Sequence, residues 1–154
     1  MRGKLAFLSK IVVRALQSYW RLSRGIELVA QACVLDGENK VGLVKTDHGD
    51  GWQLPRSSVR RGEGLEDALR RLLADDWGIA VVTRPTIFWL YTGDAAGPSR
   101  QTGLFVVRHW TRTAPPEETS LTFFPADALP AALDAQDAAR ICQASEDRAP
   151  FEVC

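Results

Sequence analysis

Four charged residues between positions 63 and 76 have types and a spacing that could support chemistry: Glu63, Arg71, Asp75 and Asp76. Apolar residues recur at helical spacing over residues 64–77, which predicts a helix that begins after Glu63 and carries the other three. Negative charge in the last turn of a helix opposes the helix dipole, so Asp75 and Asp76 favour a functional explanation. Carboxylate oxygens are ligands that hard divalent cations prefer, and the competing explanation is a pair of solvated surface acids.

These residues belong to a longer pattern over residues 51–79, "GWQLPRSSVRRGEGLEDALRRLLADDWGI". The pattern resembles the Nudix box, G-x5-E-x7-R-E-U-x-E-E-x-G-U, where U is a bulky apolar residue, together with the Trp-x-Leu-Pro-Gly-Gly segment that usually precedes it. The matching positions are Trp52, Leu54, Pro55, Glu63, Arg71, Leu73, Gly78 and Ile79. The resemblance, with a degenerate box over residues 57–79, implies an α+β fold of the Nudix type, an α/β/α sandwich with a mixed β-sheet.

The resemblance also implies a reaction. Nudix hydrolases cleave a diphosphate linked to a nucleoside or another group, while Mg²⁺ or Mn²⁺ neutralises the phosphate oxygens. The resemblance thus implies a metal-dependent pyrophosphohydrolase whose partner is a nucleotide-like or other diphosphate small molecule. It assigns Asp75, Asp76 and Glu63 to the metal, and it gives Arg71 the task of orienting an acid. Glu63 is equally well explained by the stability that a carboxylate gives in front of a helix.

Departures from the family pattern bear on activity. Arg56 and Ser57 stand at the two family glycines, Leu72 replaces the Glu that follows the box Arg, and Asp75 and Asp76 are shorter than the family's Glu pair. A Leu side chain cannot bind Mg²⁺ or accept a proton, and it extends the apolar stripe of the predicted helix. The cation of Arg56 opposes a divalent ion, yet it could hold a phosphate directly.

Two further predictions concern ligand contacts outside the helix. Trp52 could stack on a base, although aromatic residues in strands usually belong to the core. Glu117 and Glu118 precede the segment "LTFFP" and could add a late-loop acid, although solvated loop acids are the commoner case.

Strands and helices are mixed along the rest of the chain. Strands are predicted at residues 27–35, 40–45, 52–55, 79–82, 86–91, 102–110 and 121–125, and the first two form a hairpin across the turn "DGEN". Helices are predicted at residues 64–77, with Gly78 as the terminating residue, and at 128–144. Because the two kinds of element do not alternate regularly, the pattern favours α+β over a parallel βαβ fold.

The N-terminal segment has a character of its own. Over residues 4–22, apolar side chains fall on one stripe of a predicted helix, and the first 25 residues contain basic side chains but no Asp or Glu. We therefore predict a basic amphipathic helix over 1–25 and a Nudix-like domain over 26–154. Docking of this helix on the domain, or on a second subunit of a homodimer, is favoured over an anionic membrane surface. Lys10 and Arg14 interrupt the apolar stretch, so a signal peptide is not expected.

Composition narrows the classes of function. Nineteen basic and nineteen acidic residues leave no formal net charge, so nucleic-acid binding is not expected. The spacing of Cys33, Cys142 and Cys154 fits neither a zinc site nor a disulfide framework, which favours a reduced, cytoplasmic setting.

Three functional hypotheses follow. The chain could be a Nudix hydrolase of nucleoside-diphosphate-linked compounds with weakened or altered activity. It could be a catalytically inactive Nudix-fold protein that binds a nucleotide-like ligand or a protein partner. It could also be an oligomerising or membrane-surface module that uses the N-terminal helix.

Overall fold

The computed structural model describes residues 25–47, 49–93, 99–115 and 121–146. The N-terminal helix predicted within residues 1–25 and the acids Glu117 and Glu118 fall outside these ranges, apart from residue 25 itself. In the described ranges the chain forms nine strands, two α-helices and one π-helix. The strands are β1 (Glu27–Val34), β2 (Lys40–Lys45), β3 (Trp52–Gln53), β4 (Arg56–Ser58), β5 (Ile79–Val81), β6 (Thr86–Gly93), β7 (Arg100–Val107), β8 (Trp110–Arg112) and β9 (Thr122–Pro125), and the helices are α1 (Leu65–Arg71) and α2 (Ala135–Ser145).

The strands form three hydrogen-bonded groups, in the orders β4-β1-β7-β6, β3-β2-β9 and β5-β8. β1 and β7 run parallel, whereas β1 with β4 and β6 with β7 run antiparallel. The mixed sheet between helices confirms the predicted fold class. Its register places Arg56 of β4 opposite Gln31 of β1, and Arg100 of β7 opposite Glu27.

The two faces of β1 explain the layering, because successive side chains of a strand point to opposite sides. Ala30, Ala32 and Val34 are fully buried in a cluster that includes residues of α1. Cys33 and Leu35 are fully buried in a second cluster, which includes residues of α2. A strand with two apolar faces therefore lies between the two helices.

A buried polar network attaches α2 to the sheet. Asp137 is 1% exposed. Its Oδ1 accepts a hydrogen bond from Gln31 Nε2 at 2.8 Å, and its Oδ2 accepts one from the Leu54 backbone N–H at 2.9 Å. Arg140 Nη1 donates to Gln31 Oε1 at 2.8 Å. Because buried polar groups need partners, this network fixes α2 against β1 and the segment that leads into the box.

The predicted box helix is confirmed, with an altered last part. α1 continues as a π-helix over Leu72–Asp76 and ends before Gly78, whose φ is +59°. A Cβ at Gly78 would lie 2.5 Å from the Cβ of Ala114. Both the left-handed backbone and the close neighbour require glycine here, as predicted.

Three predicted elements differ from the structure. β1 and β2 do not form the expected hairpin: β1 is paired on both sides by β4 and β7, and an isolated bridge between Leu35 and Val41 connects the two segments. α2 begins at Ala135 rather than at residue 128, because the Asp134 side chain accepts the backbone N–H groups of Gln136 and Asp137 as an N-cap. The strand predicted at 102–110 is divided between β7 and β8.

The cysteines only partly follow the expectation. Cys33 is free and buried, and the burial raises the pKa of its thiol to about 12. Cys142 is disulfide-bonded, so the expectation that no disulfide forms is wrong for this residue. Within the described ranges, no helix is long and apolar enough to cross a membrane.

Candidate functional site

The loop before α1 is held by a bidentate ion pair between Glu63 and Arg71. Arg71 Nε donates to Glu63 Oε1 at 2.7 Å, and Arg71 Nη2 donates to Glu63 Oε2 at 2.9 Å. Glu63 Oε2 also accepts the backbone N–H of Arg60 at 2.8 Å. Hydrogen bonding to Arg71, followed by the Arg60 N–H, lowers the pKa of Glu63 to about 2. Glu63 is therefore a carboxylate whose two oxygens both accept hydrogen bonds from the protein.

Arg71 extends this pair to the neighbouring strand β4. Its Nη1 donates to Ser57 Oγ at 3.4 Å, and its Nη2 donates to the Ser58 carbonyl at 3.2 Å. The pKa of Arg71 is raised, chiefly by the hydrogen bond to Glu63 and to a lesser degree by the charges of Asp75 and Asp76. The geometry gives Glu63 and Arg71 a positioning role, because together they join the loop, α1 and β4.

The face of the box helix that was expected to hold a metal ion is partly buried in the core and partly exposed to solvent. Leu72 is 1% exposed, whereas Asp75 and Asp76 are exposed. No group of three His, Cys, Asp or Glu side chains suited to a metal ion exists among the residues that the structure describes. Mg²⁺ demands a near-octahedral set of oxygen ligands. Two exposed aspartates beside a buried aliphatic residue do not match that demand, and Glu63 is already engaged by Arg71.

A cationic cavity of about 240 Å³ lies directly beside the box, across β4, β1 and β7. Ser57 and Ser58, which Arg71 contacts, belong to its lining. The other lining residues are Glu27, Val29, Arg56, Arg100, Thr102 and Arg140. Three guanidinium groups and one carboxylate therefore share a small space with hydroxyl groups, which is a composition suited to an anion.

Contacts with neighbouring side chains hold the three arginines in place. Arg56 Nη2 donates to Gln53 Oε1 at 2.8 Å, and Arg100 Nε donates to Glu27 Oε2 at 2.8 Å. The Arg140 guanidinium lies 4.4 Å from the centroid of the Tyr91 ring. Its side chain is only 13% exposed. These contacts each use part of a guanidinium group, which carries five N–H donors, so donors remain for a ligand.

Glu27 is the carboxylate of this lining, and it is also engaged. Its Oε1 accepts a hydrogen bond from Ser58 Oγ at 2.8 Å, while its Oε2 accepts the one from Arg100. The hydrogen bond from Ser58, followed by that from Arg100, lowers the pKa of Glu27. A carboxylate held in its charged form in this way orients the cationic side chains around it.

The structure brings together only some of the residues predicted from the sequence. Arg56 lines the cavity, whereas Trp52 is not among the lining residues. The Trp52 ring makes an edge contact with Phe124 at 4.9 Å between centroids, and the ammonium of Lys45 lies 5.6 Å from it. The contacts of Trp52 therefore favour the packing role over base stacking.

Sequence reasoning missed Glu27, Arg100 and Arg140 as site residues. They lie on β1, β7 and α2, so at least 40 residues separate any two of them along the chain. No motif spacing links them, and Arg100 precedes the strand predicted at 102–110, so no local pattern marked it. Only the parallel pairing of β1 with β7 and the docking of α2 bring the three together.

Comparison with solved structures shows the same fold in bacterial proteins. A MutT NUDIX hydrolase from Burkholderia pseudomallei superposes with a TM-score of 0.64 at 21% identity, covering 76% of this chain and 96% of that chain. A NUDIX hydrolase from Nitrosomonas europaea gives a TM-score of 0.65 at 15% identity, covering 82% and 93%. A MutT protein from Bacillus halodurans gives 0.64 at 19% identity, covering 80% and 85%. These identities establish similarity of fold alone.

Family membership rests on the sequence itself. Among curated proteins, no sequence matches the chain. A model of the NUDIX domain family matches residues 27–144, which is most of the chain and nearly the whole described structure. Together with the spacing of Glu63, Arg71 and Gly78 and the layered mixed sheet, this match shows that the chain belongs to the Nudix family.

Proposed function

We propose that this Nudix-family protein binds a diphosphate-linked small molecule in the arginine-lined cavity and does not hydrolyse it through a metal ion on the box helix. The observation that carries the proposal is the burial of Leu72, at 1% exposed, where the family pattern has a glutamate. A side chain buried in this way offers no oxygen to a metal ion. Binding of the diphosphate then depends on the positively charged side chains of the protein rather than on a metal ion.

The lining of the cavity supports a phosphate-type ligand. Guanidinium groups bind phosphate oxygens through paired N–H donors, and Arg56, Arg100 and Arg140 supply three such groups. The hydroxyls of Ser57, Ser58 and Thr102 add neutral donors. The volume of about 240 Å³ suits the charged part of such a ligand, so the remainder would extend from the open side of the cavity.

The same lining contains little that could activate water. Among the lining residues the one carboxylate is Glu27, and both of its oxygens accept hydrogen bonds from neighbouring side chains. Its pKa is lowered, which makes it a weak base. The lining residues therefore bind and orient a diphosphate more readily than they cleave it.

A binding measurement with and without metal tests the proposal. We expect isothermal titration calorimetry to detect binding of inorganic pyrophosphate and ADP in the presence of EDTA. Arg56→Gln should weaken the affinity about tenfold or more, since a charge-assisted hydrogen bond is lost. Arg61→Gln is the matched control, because Arg61 is exposed and is not part of the lining. Absence of metal-free binding, or equal losses in both variants, contradicts the proposal.

A second candidate, slow hydrolysis at the box, is favoured by one specific observation. The charges of Asp75 and Asp76 act on Arg71, so two carboxylates remain near the preserved Glu63–Arg71 pair. The purified protein would be incubated with Mg²⁺ or Mn²⁺ and a panel of nucleoside diphosphate derivatives while phosphate release is measured. Metal-dependent turnover that disappears in Asp76→Ala supports this candidate. No turnover in the native chain, joined to turnover in Leu72→Glu, supports loss of an ancestral metal site.

The remaining predictions depend on the N-terminal segment or on the setting of the protein. A homodimer and a membrane-surface role both concern residues 1–24, which lie outside the described ranges. Liposome flotation of the protein with and without these residues tests the membrane role, and equal flotation of the two forms contradicts it. A cytoplasmic location remains a proposal, and the disulfide at Cys142 does not support it.

A further inference from the structure

The strand β6 (Thr86–Gly93) is an outer strand of the four-stranded sheet. It pairs with β7 on one side, and no other strand among the described residues pairs with it. The outward N–H and C=O groups of such an edge are a template to which another extended chain can add. Strand addition of this kind is a recurring mode of protein recognition.

Exposed apolar side chains concentrate on this edge strand. Of the five large hydrophobic residues that are exposed in the described ranges, three lie on β6: Ile87 at 48%, Trp89 at 45% and Leu90 at 45%. The strand contains no charged residue and no proline, which are the devices that commonly protect a free edge. A bulge between Ile87 and Trp89 interrupts the pairing with β7, so the strand is regular from Trp89 to Gly93. Clustered apolar surface of this kind marks a contact site.

The exposed side chains of β6 lie on both faces of the sheet. Trp89 lies opposite Leu104 of β7, which belongs to the core cluster on the α2 side. Leu90 lies opposite Gly103, where an added Cβ would meet Leu65 of α1, so Leu90 points to the other face. A partner that contacts Trp89 and Leu90 together must therefore lie alongside the strand edge rather than on one face of the sheet.

A second copy of the chain presents an edge that matches this one. Two identical edge strands pair antiparallel across a two-fold axis, and directly opposite side chains lie on the same face of the joined sheet. A register centred on Leu90 places Leu90 opposite Leu90 of the second copy, and Trp89 opposite Tyr91 of the second copy. The apolar side chains then meet within the regular part of the strand.

Charge does not oppose such a pairing. The strand itself is uncharged, and nineteen basic and nineteen acidic residues leave the whole chain without formal net charge. Two copies therefore approach with little long-range repulsion, and a net charge near zero favours self-association. An uncharged edge has no group that selects a partner of opposite charge, whereas symmetry supplies a matching apolar edge from the chain itself.

We propose that two copies of this protein associate through β6, which joins their four-stranded sheets into one continuous sheet across a two-fold axis at Leu90. The contact covers the exposed parts of Trp89 and Leu90 on both faces at once. None of the residues that line the arginine-lined cavity lies on β6, so this contact is independent of the function proposed above. It also differs from a dimer formed through residues 1–24.

Sedimentation velocity of the full chain over a range of concentrations tests the proposal. Because one strand pair makes an interface at the small end of specific complexes, we expect a dimer with a dissociation constant of about 1–100 μM. Hydrogen exchange measured below and above this range supplies a second readout. Protection of the β6 amides should increase with the dimer fraction, because the outward N–H groups gain hydrogen-bond partners.

Charges at Leu90 make the test specific to the register. Leu90→Lys and Leu90→Glu should each weaken the association at least about tenfold, because like charges then lie directly opposite each other. An equimolar mixture of the two variants should associate about tenfold more tightly than either variant alone, because opposite charges then meet. Val82→Lys is the matched control, since Val82 is 64% exposed and lies outside β6. It should leave the dissociation constant unchanged.

Three outcomes overturn the proposal. The first is a chain that stays monomeric at about 1 mM with its β6 amides protected, since another part of the same chain then covers the edge. The second is a monomeric chain whose β6 amides exchange freely, which leaves the edge to a different protein. The third is association that Leu90→Lys does not weaken, or that the mixture of the two variants does not restore, since the contact then lies elsewhere.

Discussion

Leu72 shows how one side chain decides what the box helix can do. Its place on the helix is that of a metal-binding glutamate in the family pattern, yet it is buried while its helical neighbours Asp75 and Asp76 are exposed. Burial of a Leu side chain contributes about 1.5–3 kcal/mol to stability, and a carboxylate at the same place would lose its hydration. The residue therefore supports the fold, and its side chain offers no oxygen to a metal ion.

The first prediction separates the structural role of Leu72 from that of the aspartates. Leu72→Ala should lower the free energy of unfolding by about 2–5 kcal/mol, because it leaves a cavity at a fully buried site. Asp75→Ala, at an exposed position one turn along, should change it by no more than about 0.5 kcal/mol. Urea unfolding followed by tryptophan fluorescence measures both. A small loss in Leu72→Ala would show that the site can collapse or is open to solvent.

The second prediction concerns the pH dependence of stability. The hydrogen bonds from Arg71 and the Arg60 N–H lower the pKa of Glu63 from 4.5 to about 2 in the folded protein. Because the folded-state pKa lies below the unfolded one, Glu63 stabilises the fold above pH 4.5, and this contribution is lost as the pH falls towards 2. The decline in the urea midpoint between pH 5 and 2 should be shallower in Glu63→Gln than in the native chain.

A matched variant makes the pH experiment selective. Asp47→Asn removes an exposed acid in the loop after β2, away from the box. Its decline between pH 5 and 2 should follow that of the native chain. An equally steep decline in Glu63→Gln would show that the ion pair with Arg71 does not contribute to the acid sensitivity.

At the scale of elements, α2 positions part of the lining of the arginine-lined cavity. It carries Asp137, which is bonded to β1 and to the segment before the box, and Arg140, which reaches the cavity. The helix thus acts as a support that brings a C-terminal side chain to residues from the first half of the chain. The buried carboxylate of Asp137 is the contact on which this support depends.

The third prediction tests that support. Asp137→Ala leaves the Leu54 N–H and the Gln31 side-chain amide without their buried acceptor, so we expect a loss of about 3 kcal/mol in unfolding free energy. Asp134→Ala removes an N-cap of the same helix and should cost about 1 kcal/mol. Thermal unfolding by circular dichroism compares the two. Equal losses would show that the buried network is no more important than the cap.

At the scale of the whole molecule, the two cavities lie at opposite ends of the central sheet. The arginine-lined cavity opens beside the box, whereas a second cavity, of about 540 Å³, lies between the start of β6 and the end of β7. The sheet and α2 connect the two places. Because a ligand that binds only the folded state stabilises it by an amount that grows with the logarithm of its concentration over its dissociation constant, the stability of the whole domain reports on which ligand the first cavity prefers.

The fourth prediction uses this linkage. Pyrophosphate at about 100 times its dissociation constant should stabilise the fold by about 2.7 kcal/mol, which raises the Tm by roughly 5–10 °C for a domain of this size. Mg²⁺ alone should shift the Tm by less than about 1 °C, because the described residues offer it no adequate ligand set. Differential scanning fluorimetry with each additive makes the comparison. A larger shift with Mg²⁺ than with pyrophosphate contradicts the proposed function.

The sequence by itself determined the features that depend on neighbours along the chain. The spacing of apolar residues over 64–77 predicts a helix. Glu63 then lies just before the helix and Arg71 lies on it, where the two side chains can meet. The strands β1, β2 and β6 could be predicted because their runs of apolar residues end at turn residues. Gly78 could be predicted to end the helix because it directly follows the last helical residue of the pattern.

The tertiary structure alone decided which side chains meet and which face solvent. Helical spacing places Leu72, Asp75 and Asp76 on neighbouring positions, but only the packing of α1 on the sheet buries the first and exposes the others. The meeting of Arg56 with Arg100 and Arg140 depends on strand order and on the docking of α2, and these follow from burial of apolar surface between distant segments. A local sequence pattern cannot predict such long-range pairings, because the pairings depend on how the whole chain packs around its core.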